Sequence, residues 1–148
     1  MKTFTISQAL KDVAQNIIDE GHTLALGDSR IEYLIVSPYI SKRTAGRCIR
    51  TNAELNFFSE ADYIIEISEK IWNSIDDETK KILVLHELMH IDCTMDDKGE
   101  YRYGMRDHDV QDFHYIIKKY GIDWIGKIKS ISASVYDTTE IELGSINI

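Results

Sequence analysis

The segment LVLHELMHIDC, residues 83–93, places two histidines and a glutamate among apolar side chains. Apolar residues surround the predicted helix on nearly every side, which indicates a helix buried between layers of the fold. Buried imidazoles and a buried carboxylate need partners, because removing an unpaired polar group from water is costly. The segment therefore predicts a core built around a polar site.

The spacing of the polar residues in this segment predicts a metal site. His86 and His90 are four residues apart, so a helix presents both imidazoles on one face, where two nitrogens can bind one tetrahedral zinc ion. Glu87 follows the first histidine, where it can take a proton from a zinc-bound water. HExxH is the zinc-peptidase signature. The structural alternative is a helix with two hydrogen-bonded histidines and a salt-bridged glutamate.

A catalytic zinc site needs a third protein ligand and an open position. IDCTMD follows His90, so the extended signature HExxHxxGxxH is absent, and the next candidates lie in DHDVQDF: His108, Asp109 and Asp112. We expect His108 to be the third ligand, because neutral imidazole binds zinc well. Asp109 or Asp112 would then accept the second N–H of a ligating histidine. An aspartate as third ligand stays open.

The two remaining histidines are predicted to lie outside the site. His114 falls on the side of the predicted helix opposite Asp109, and His22 follows the first predicted helix. Both are expected at the surface.

The rest of the chain predicts a single α+β domain over residues 1–148, with a core over about 7–128 and a C-terminal strand or tail over 129–148. Ser7 and Asp76 are the expected N-caps of the first two helices. The expected elements are helices over 7–20, 79–93 and 108–121, a short helical piece after 121, strands over 31–38 and 61–68, one or two short strands around Gly46, and a loop over 96–107.

Composition narrows the function classes. With 43% hydrophobic and 28% charged residues the chain is an ordinary globular sequence, and its formal charge of −8 argues against non-specific binding to nucleic acid or anionic membrane. No apolar run predicts a signal peptide or a membrane span. Cys48 and Cys93 do not make a disulfide framework, so we expect reduced thiols and a cytoplasmic protein.

The segment KRTAGRCIR, residues 42–50, has four basic residues and no acidic one. An exposed hairpin with charges that protect a sheet edge explains it. Contact with an acidic protein or a nucleic-acid backbone is the alternative, although nucleic acid is an unlikely partner for so acidic a chain.

The chain resembles the phage metallopeptidase family, small HExxH domains related in outline to SprT-like and minigluzincin peptidases. The resemblance rests on five segments in this order: IEYLIVSP, the basic GR segment, ADYIIEIS, LHELMHID and HDVQDFHYIIKKYGIDW. The resemblance implies a zincin-like domain, in which a small mixed or antiparallel sheet packs on the HExxH helix and a second metal-bearing helix. It also implies that ADYIIEIS forms the sheet edge beside the active-site cleft. The resemblance further implies that His86, His90 and His108 bind zinc and that Glu87 acts as the general base.

The sequence thus predicts a zinc-dependent metallopeptidase that hydrolyses peptide bonds of an intracellular protein, in the host cytoplasm if the chain is phage-encoded. The alternative is a non-catalytic zinc-binding domain that binds a host or phage protein, or a DNA-associated protein.

Overall fold

The structure is a computed structural model that describes residues 1–108, 112–135 and 148. Its elements follow in this order: β1 (Thr3–Ile6), α1 (Gln8–Asp19), β2 (Ile31–Ser37), β3 (Gly46–Arg50), α2 (Ala53–Ser59), β4 (Tyr63–Ser68), α3 (Glu69–Trp72), α4 (Asp77–Leu88), β5 (Ile91–Met95), β6 (Tyr101–Met105), α5 (His114–Tyr120) and α6 (Asp123–Val135). The predicted α+β class is confirmed.

Four strands form a mixed sheet in the order β1-β2-β4-β3. β2 and β4 run parallel, and β1 and β3 pair antiparallel at the two sides. Every residue of β4 is buried, and the strand has a hydrogen-bonded neighbour on each side. The expectation that ADYIIEIS forms the sheet edge is therefore wrong. Among the described strands, β3 forms that edge.

The first predicted helix is confirmed with its cap. Ser7 Oγ accepts a hydrogen bond from Leu10 N at 3.1 Å, which satisfies one of the free N–H groups at the start of α1. Leu10, Ala14 and Ile17 are fully buried on the face that packs against α4 and the sheet. The helix ends at Asp19.

The HELMH helix is shorter than predicted. Asp76 caps α4 as expected, accepting a hydrogen bond from Thr79 N at 2.9 Å, but the helix ends at Leu88 rather than at Cys93. Residues 91–95 instead form β5, in which Ile91 and Cys93 are buried and the residues between and after them are exposed. That alternation with period two fits a half-buried strand.

The predicted loop over 96–107 contains β6, which pairs antiparallel with β5. Only residues 96–100 form the turn of this hairpin, where Asp96 Oδ1 accepts from Lys98 N and Glu100 N. The hairpin docks on the larger sheet through a hydrogen bond from the Tyr63 hydroxyl to Gly104 O at 2.7 Å. It returns the chain toward the end of α4.

Two helices close the described fold. The helix predicted from residue 108 begins only at His114, so His108 lies in a non-helical segment before α5 and the expected second metal-bearing helix does not carry it. α6 extends to Val135, so the first part of the predicted C-terminal strand or tail is helical, and residues 136–147 lie outside the described residues. The segment after β3 forms α2, capped by Asn52, rather than a second strand.

Two further features concern the cysteines and the length of the helices. Cys48 and Cys93 are free thiols. Among the described helices, none combines the length and apolar character needed to cross a membrane.

Candidate metal centre

Three imidazoles converge on one point in the fold. His86 lies in the last turn of α4, His90 two residues past its end, and His108 in the segment after β6. His108 Nε2 lies 2.8 Å from His86 Nε2 and 2.8 Å from His90 Nε2. Met89 keeps helical backbone angles, φ −72° and ψ −11°, so His90 stays on the His86 side although the helix has ended.

The other ring nitrogens of two of these histidines are held by acceptors. His86 Nδ1 lies 2.7 Å from Asp112 Oδ1, and His90 Nδ1 lies 2.7 Å from the main-chain oxygen of Arg106. A carbonyl oxygen only accepts, and a carboxylate usually does so, which places a proton on each Nδ1. In the neutral rings the Nε2 atoms of His86 and His90 therefore present lone pairs.

This arrangement fits a bound cation. The proton on His108 Nε2, if present, can be donated to only one of its two neighbours, so at least one contact of 2.8 Å brings two lone pairs together. A metal ion among the three nitrogens replaces that repulsion with attraction. Tetrahedral zinc with bonds of about 2.0–2.1 Å needs nitrogens about 3.3 Å apart, so each of the two 2.8 Å separations has to widen by about half an ångström.

Burial favours the neutral, ligating form of one member. His90 has its pKa lowered to about 4, chiefly because burial disfavours the charged imidazolium, and the nearby His86 and His108 add to the shift. At neutral pH the His90 ring is therefore uncharged, as a metal ligand has to be.

Asp112 is the carboxylate that fixes His86. It is fully buried, and its oxygens accept hydrogen bonds from His86 Nδ1, from Phe113 N at 2.8 Å and from Trp124 Nε1 at 2.9 Å. Such a carboxylate sets the tautomer and the ring orientation of a ligating histidine. The structure places Asp112 in contact with a histidine of the cluster, the position that the sequence suggested for it or for Asp109, whereas Asp109 lies outside the described residues.

Glu87 has the opposite environment. The side chain is fully buried, and neither carboxylate oxygen has a hydrogen-bond partner in the described part of the chain. Burial raises the pKa of Glu87 to about 7, with Asp112 adding to the shift and His86 opposing it. Glu87 Oε1 lies 3.8 Å from His90 Nε2, so the carboxylate borders the point on which the imidazoles converge.

An aromatic wall that the sequence analysis did not assign to the site packs around the histidines. The Phe113 ring lies 5.1–5.5 Å, centroid to centroid, from all three imidazoles, and the Trp124 ring lies 5.4 Å from that of His86. The Arg106 guanidinium lies over the Phe113 ring, 4.8 Å from its centroid. No local pattern in the sequence connects Trp124 with Asp112.

The edge strand β3 passes directly beside Glu87. A Cβ atom on Gly46 would lie 3.2 Å from Glu87 Oε2 and 2.8 Å from Ile67 Cδ1, so glycine allows the backbone to approach the carboxylate. Cys48, two residues later, is on the same face of the strand, and its pKa is raised by burial and by the Glu87 charge.

The two other histidines lie away from this cluster. His114 is exposed, as predicted. His22 was expected at the surface, but that prediction is wrong: its side chain is 1% exposed and lies between the Tyr115 hydroxyl and Glu20, each at 2.8 Å. It links the end of α1 to α5.

A family model described as "Putative phage metallopeptidase" matches residues 2–136 of the chain. No curated protein and no solved structure matches it. Within the described residues, His86, His90 and His108 form the group of side chains that could hold a metal ion.

Proposed function

This chain belongs to the putative phage metallopeptidase family, and on that premise we propose that it is a zinc-dependent peptidase. The observation that carries the proposal is a fully buried carboxylate, Glu87, that has no hydrogen-bond partner among the described residues and borders three converging imidazole nitrogens. Leaving such a group unpaired costs folding free energy, which suits a residue reserved for reacting molecules.

His86, His90 and His108 would hold the metal through their Nε2 atoms. Three nitrogen ligands without a thiolate suit a catalytic zinc ion that keeps an open position. Such an ion would supply Lewis acidity, which acidifies water and polarises a peptide carbonyl. Asp112 would keep the His86 ring oriented by accepting its Nδ1–H.

Glu87 would move the proton. A carboxylate oxygen of Glu87 would take a proton from the attacking water and then donate it to the nitrogen of the departing amine. A pKa of about 7 suits both halves of this transfer near neutral pH, since a group with that pKa gains and loses a proton readily. A bound cation would lower this pKa and favour the basic form that starts the reaction.

The edge strand β3 would receive the substrate. Ser68 N donates to Ala45 O at 2.9 Å and Thr51 N donates to Asp62 O at 3.0 Å, so alternate residues of this segment, from 45 to 51, bond to β4. In an antiparallel ladder the intervening residues point their main-chain groups away from the partner. Those of residues 46, 48 and 50 are thus directed to the open edge, where an extended peptide can add as a further strand.

The proposed setting is the cytoplasm, where the free thiols of Cys48 and Cys93 remain reduced. The substrate would be a protein or peptide in that compartment.

The test begins with metal content, measured by elemental analysis on protein purified without added zinc. We expect one zinc per chain, lost in His86→Ala and His108→Ala and kept in His114→Ala, which removes an exposed histidine outside the cluster. Cleavage of unfolded protein substrates should require the metal and Glu87. Protein that neither contains nor takes up zinc would overturn the proposal, and bound zinc without hydrolysis would favour the non-catalytic zinc-binding alternative.

A further inference from the structure

A groove opens where β3 leaves the sheet. A cavity of about 250 Å³ is lined by Arg50, Asn56, Asp62 and Tyr103, among others, and a second cavity of about 370 Å³ shares the last three of these residues. The two cavities are therefore adjoining parts of one groove. It lies between the end of β3, α2 and the β5-β6 hairpin.

Most charged and polar groups in this groove are already bonded. Asp62 accepts from Asn56 Nδ2 at 3.1 Å and from Arg30 N at 2.9 Å. The Tyr103 hydroxyl donates to Asp28 Oδ1 at 2.7 Å. The acidic members of the groove thus have donors within the protein.

Arg30, also in the groove, has a carboxylate partner, Glu60, at 3.6 Å. Arg50 differs from it. The Arg50 side chain is exposed and makes no hydrogen bond or ion pair with any residue in the described ranges. Among the charged groups that line the groove, the Arg50 guanidinium is the one without a hydrogen bond or ion pair to any described residue.

The position of Arg50 links the groove to the candidate active site. Gly46 lies beside Glu87 and pairs with Ile67, and Arg50 pairs with Tyr63. Because residues 46 and 50 are an even number of positions apart in the strand, both face the side of the sheet that packs against α4. Four residues of strand separate them, a distance of about 13 Å. A peptide added to this edge would pass Glu87 and Arg50 in one extended run.

We propose that Arg50 selects an acidic side chain in the substrate. The inference rests on the proposed peptidase function. A peptide antiparallel to β3 has its N-terminal part at the Arg50 end, so the acidic residue would lie about four residues before the peptide residue opposite Gly46. The guanidinium would donate to the substrate carboxylate, a pairing that arginine geometry favours.

The binding test uses the zinc-loaded Glu87→Gln protein, which would bind peptides without cutting them. A peptide array carries Glu, Gln or Lys at each position in turn. We expect Glu to bind roughly threefold more tightly than Lys at one position, as for an exposed ion pair. In Glu87→Gln with Arg50→Glu the preference should reverse, and Arg50→Lys should retain it in part.

Arg43→Glu is the matched control, since it reverses an exposed charge in the turn before β3. It should leave the preferred position unchanged. The same preference in Arg50→Glu, or no charge preference at any position, would overturn the role of Arg50. Thermal unfolding of each variant would show whether a lost preference merely reflects a lost fold, and Arg50→Lys retains the test in that case.

Cleavage by the wild-type protein separates this inference from the proposed function. Mass spectrometry of digested peptide mixtures should find Asp or Glu enriched about three to five residues before the cut bond. Cleavage that depends on Glu87 but shows no such enrichment would overturn the Arg50 assignment and leave the peptidase proposal in place. Absence of cleavage would count against the peptidase proposal itself.

Discussion

Two carboxylates of this protein, those of Glu87 and Asp112, are equally buried but differ in their hydrogen bonds. Glu87 and Asp112 both have 0% exposed surface. Asp112 accepts three hydrogen bonds, from His86, Phe113 and Trp124, whereas Glu87 accepts none within the described residues. Burial alone therefore does not reveal what a carboxylate does. Asp112 is held in place beside His86, and we propose that Glu87, which has no hydrogen-bond partner among the described residues, exchanges a proton with the reacting molecules.

The largest expected effect comes from removing the proton acceptor while keeping its shape. Glu87→Gln should reduce peptide hydrolysis by about 10² to 10⁴, because the amide cannot act as a general base. Zinc content should stay at the wild-type value, since Glu87 is not one of the three proposed ligands. Hydrolysis rates and elemental analysis check the two parts.

Glu66→Gln is the matched control for that experiment. Glu66 is also a buried carboxylate, but it bonds to Arg47 Nε at 2.8 Å and lies outside the histidine cluster. Its replacement should leave the hydrolysis rate within a few-fold of wild type. A Glu87→Gln protein that retains most of its activity would mean that the unbonded carboxylate is not the base.

The second prediction concerns the stability of the metal-free protein. Burial raises the pKa of Glu87 to about 7 from its ordinary value of 4.5, so the folded state binds the proton more tightly than the unfolded state. Stability should consequently fall as pH rises from about 4.5 to about 7, by roughly 3 kcal/mol from this group. Below pH 4.5 both states are protonated and the group contributes no pH dependence.

Chemical denaturation of the zinc-free protein across this pH range measures the effect. Glu87→Gln should remove that part of the slope, because the amide does not titrate. If the wild type and the variant show the same pH dependence in this range, the Glu87 carboxylate is not raised in the folded protein.

The sequence predicted which histidines come together better than the path of the chain that brings them there. The i, i+4 spacing of His86 and His90 placed both imidazoles together, although α4 ends at Leu88, because Met89 continues the helical backbone angles. His108 was expected on a second metal-bearing helix. In the structure the β5-β6 hairpin returns His108 to the cluster.

The β5-β6 hairpin was missed because a helical pattern covers its first strand in the sequence. Ile91 continues the apolar run of α4, so nothing local marks the end of the helix. The turn signal was present in DDKG, with Gly99 at φ +79°, but the strands on either side have only five residues each. Tertiary pairing with β6 decides the strand in such a case.

The hydrogen bonding of Glu87 and Asp112 could not be predicted from the residues near them in the sequence. Glu87 has no hydrogen-bond partner among the described residues because of the way β3 and α4 pack around it. The Trp124 bond to Asp112 depends on how α6 docks. The edge role of β3 likewise depends on strand order. Each is a long-range property that no residue pattern within one element encodes.

The third prediction tests the orienting carboxylate. Asp112→Ala leaves His86 Nδ1 and Trp124 Nε1 without their acceptor, so the His86 ring is no longer fixed in its tautomer. We expect zinc affinity to fall by about 10-fold to 100-fold. Competition with a chelator of known affinity measures the change, and His114→Ala provides a control for surface effects. Unchanged affinity would show that His86 does not need Asp112 to bind metal.

The smallest effect is expected at the far end of the same hydrogen-bond chain. Trp124→Phe keeps the ring beside His86 but removes the indole N–H that donates to Asp112 Oδ2 at 2.9 Å. The carboxylate retains its bonds to His86 and Phe113, so the His86 tautomer should be kept. We expect a loss of about 1 kcal/mol in unfolding free energy, a zinc affinity within a few-fold of wild type and an unchanged dependence of hydrolysis on Glu87.

Comparison of Trp124→Phe with Asp112→Ala separates two ways in which the bonded carboxylate could act. If zinc affinity falls as far in Trp124→Phe as in Asp112→Ala, the indole bond itself fixes the carboxylate, and the orienting unit extends from His86 into α6. If only stability falls, Asp112 orients His86 by direct contact. Trp124 then serves to satisfy an oxygen that burial would otherwise leave without a partner, as both oxygens of Glu87 are within the described part of the chain.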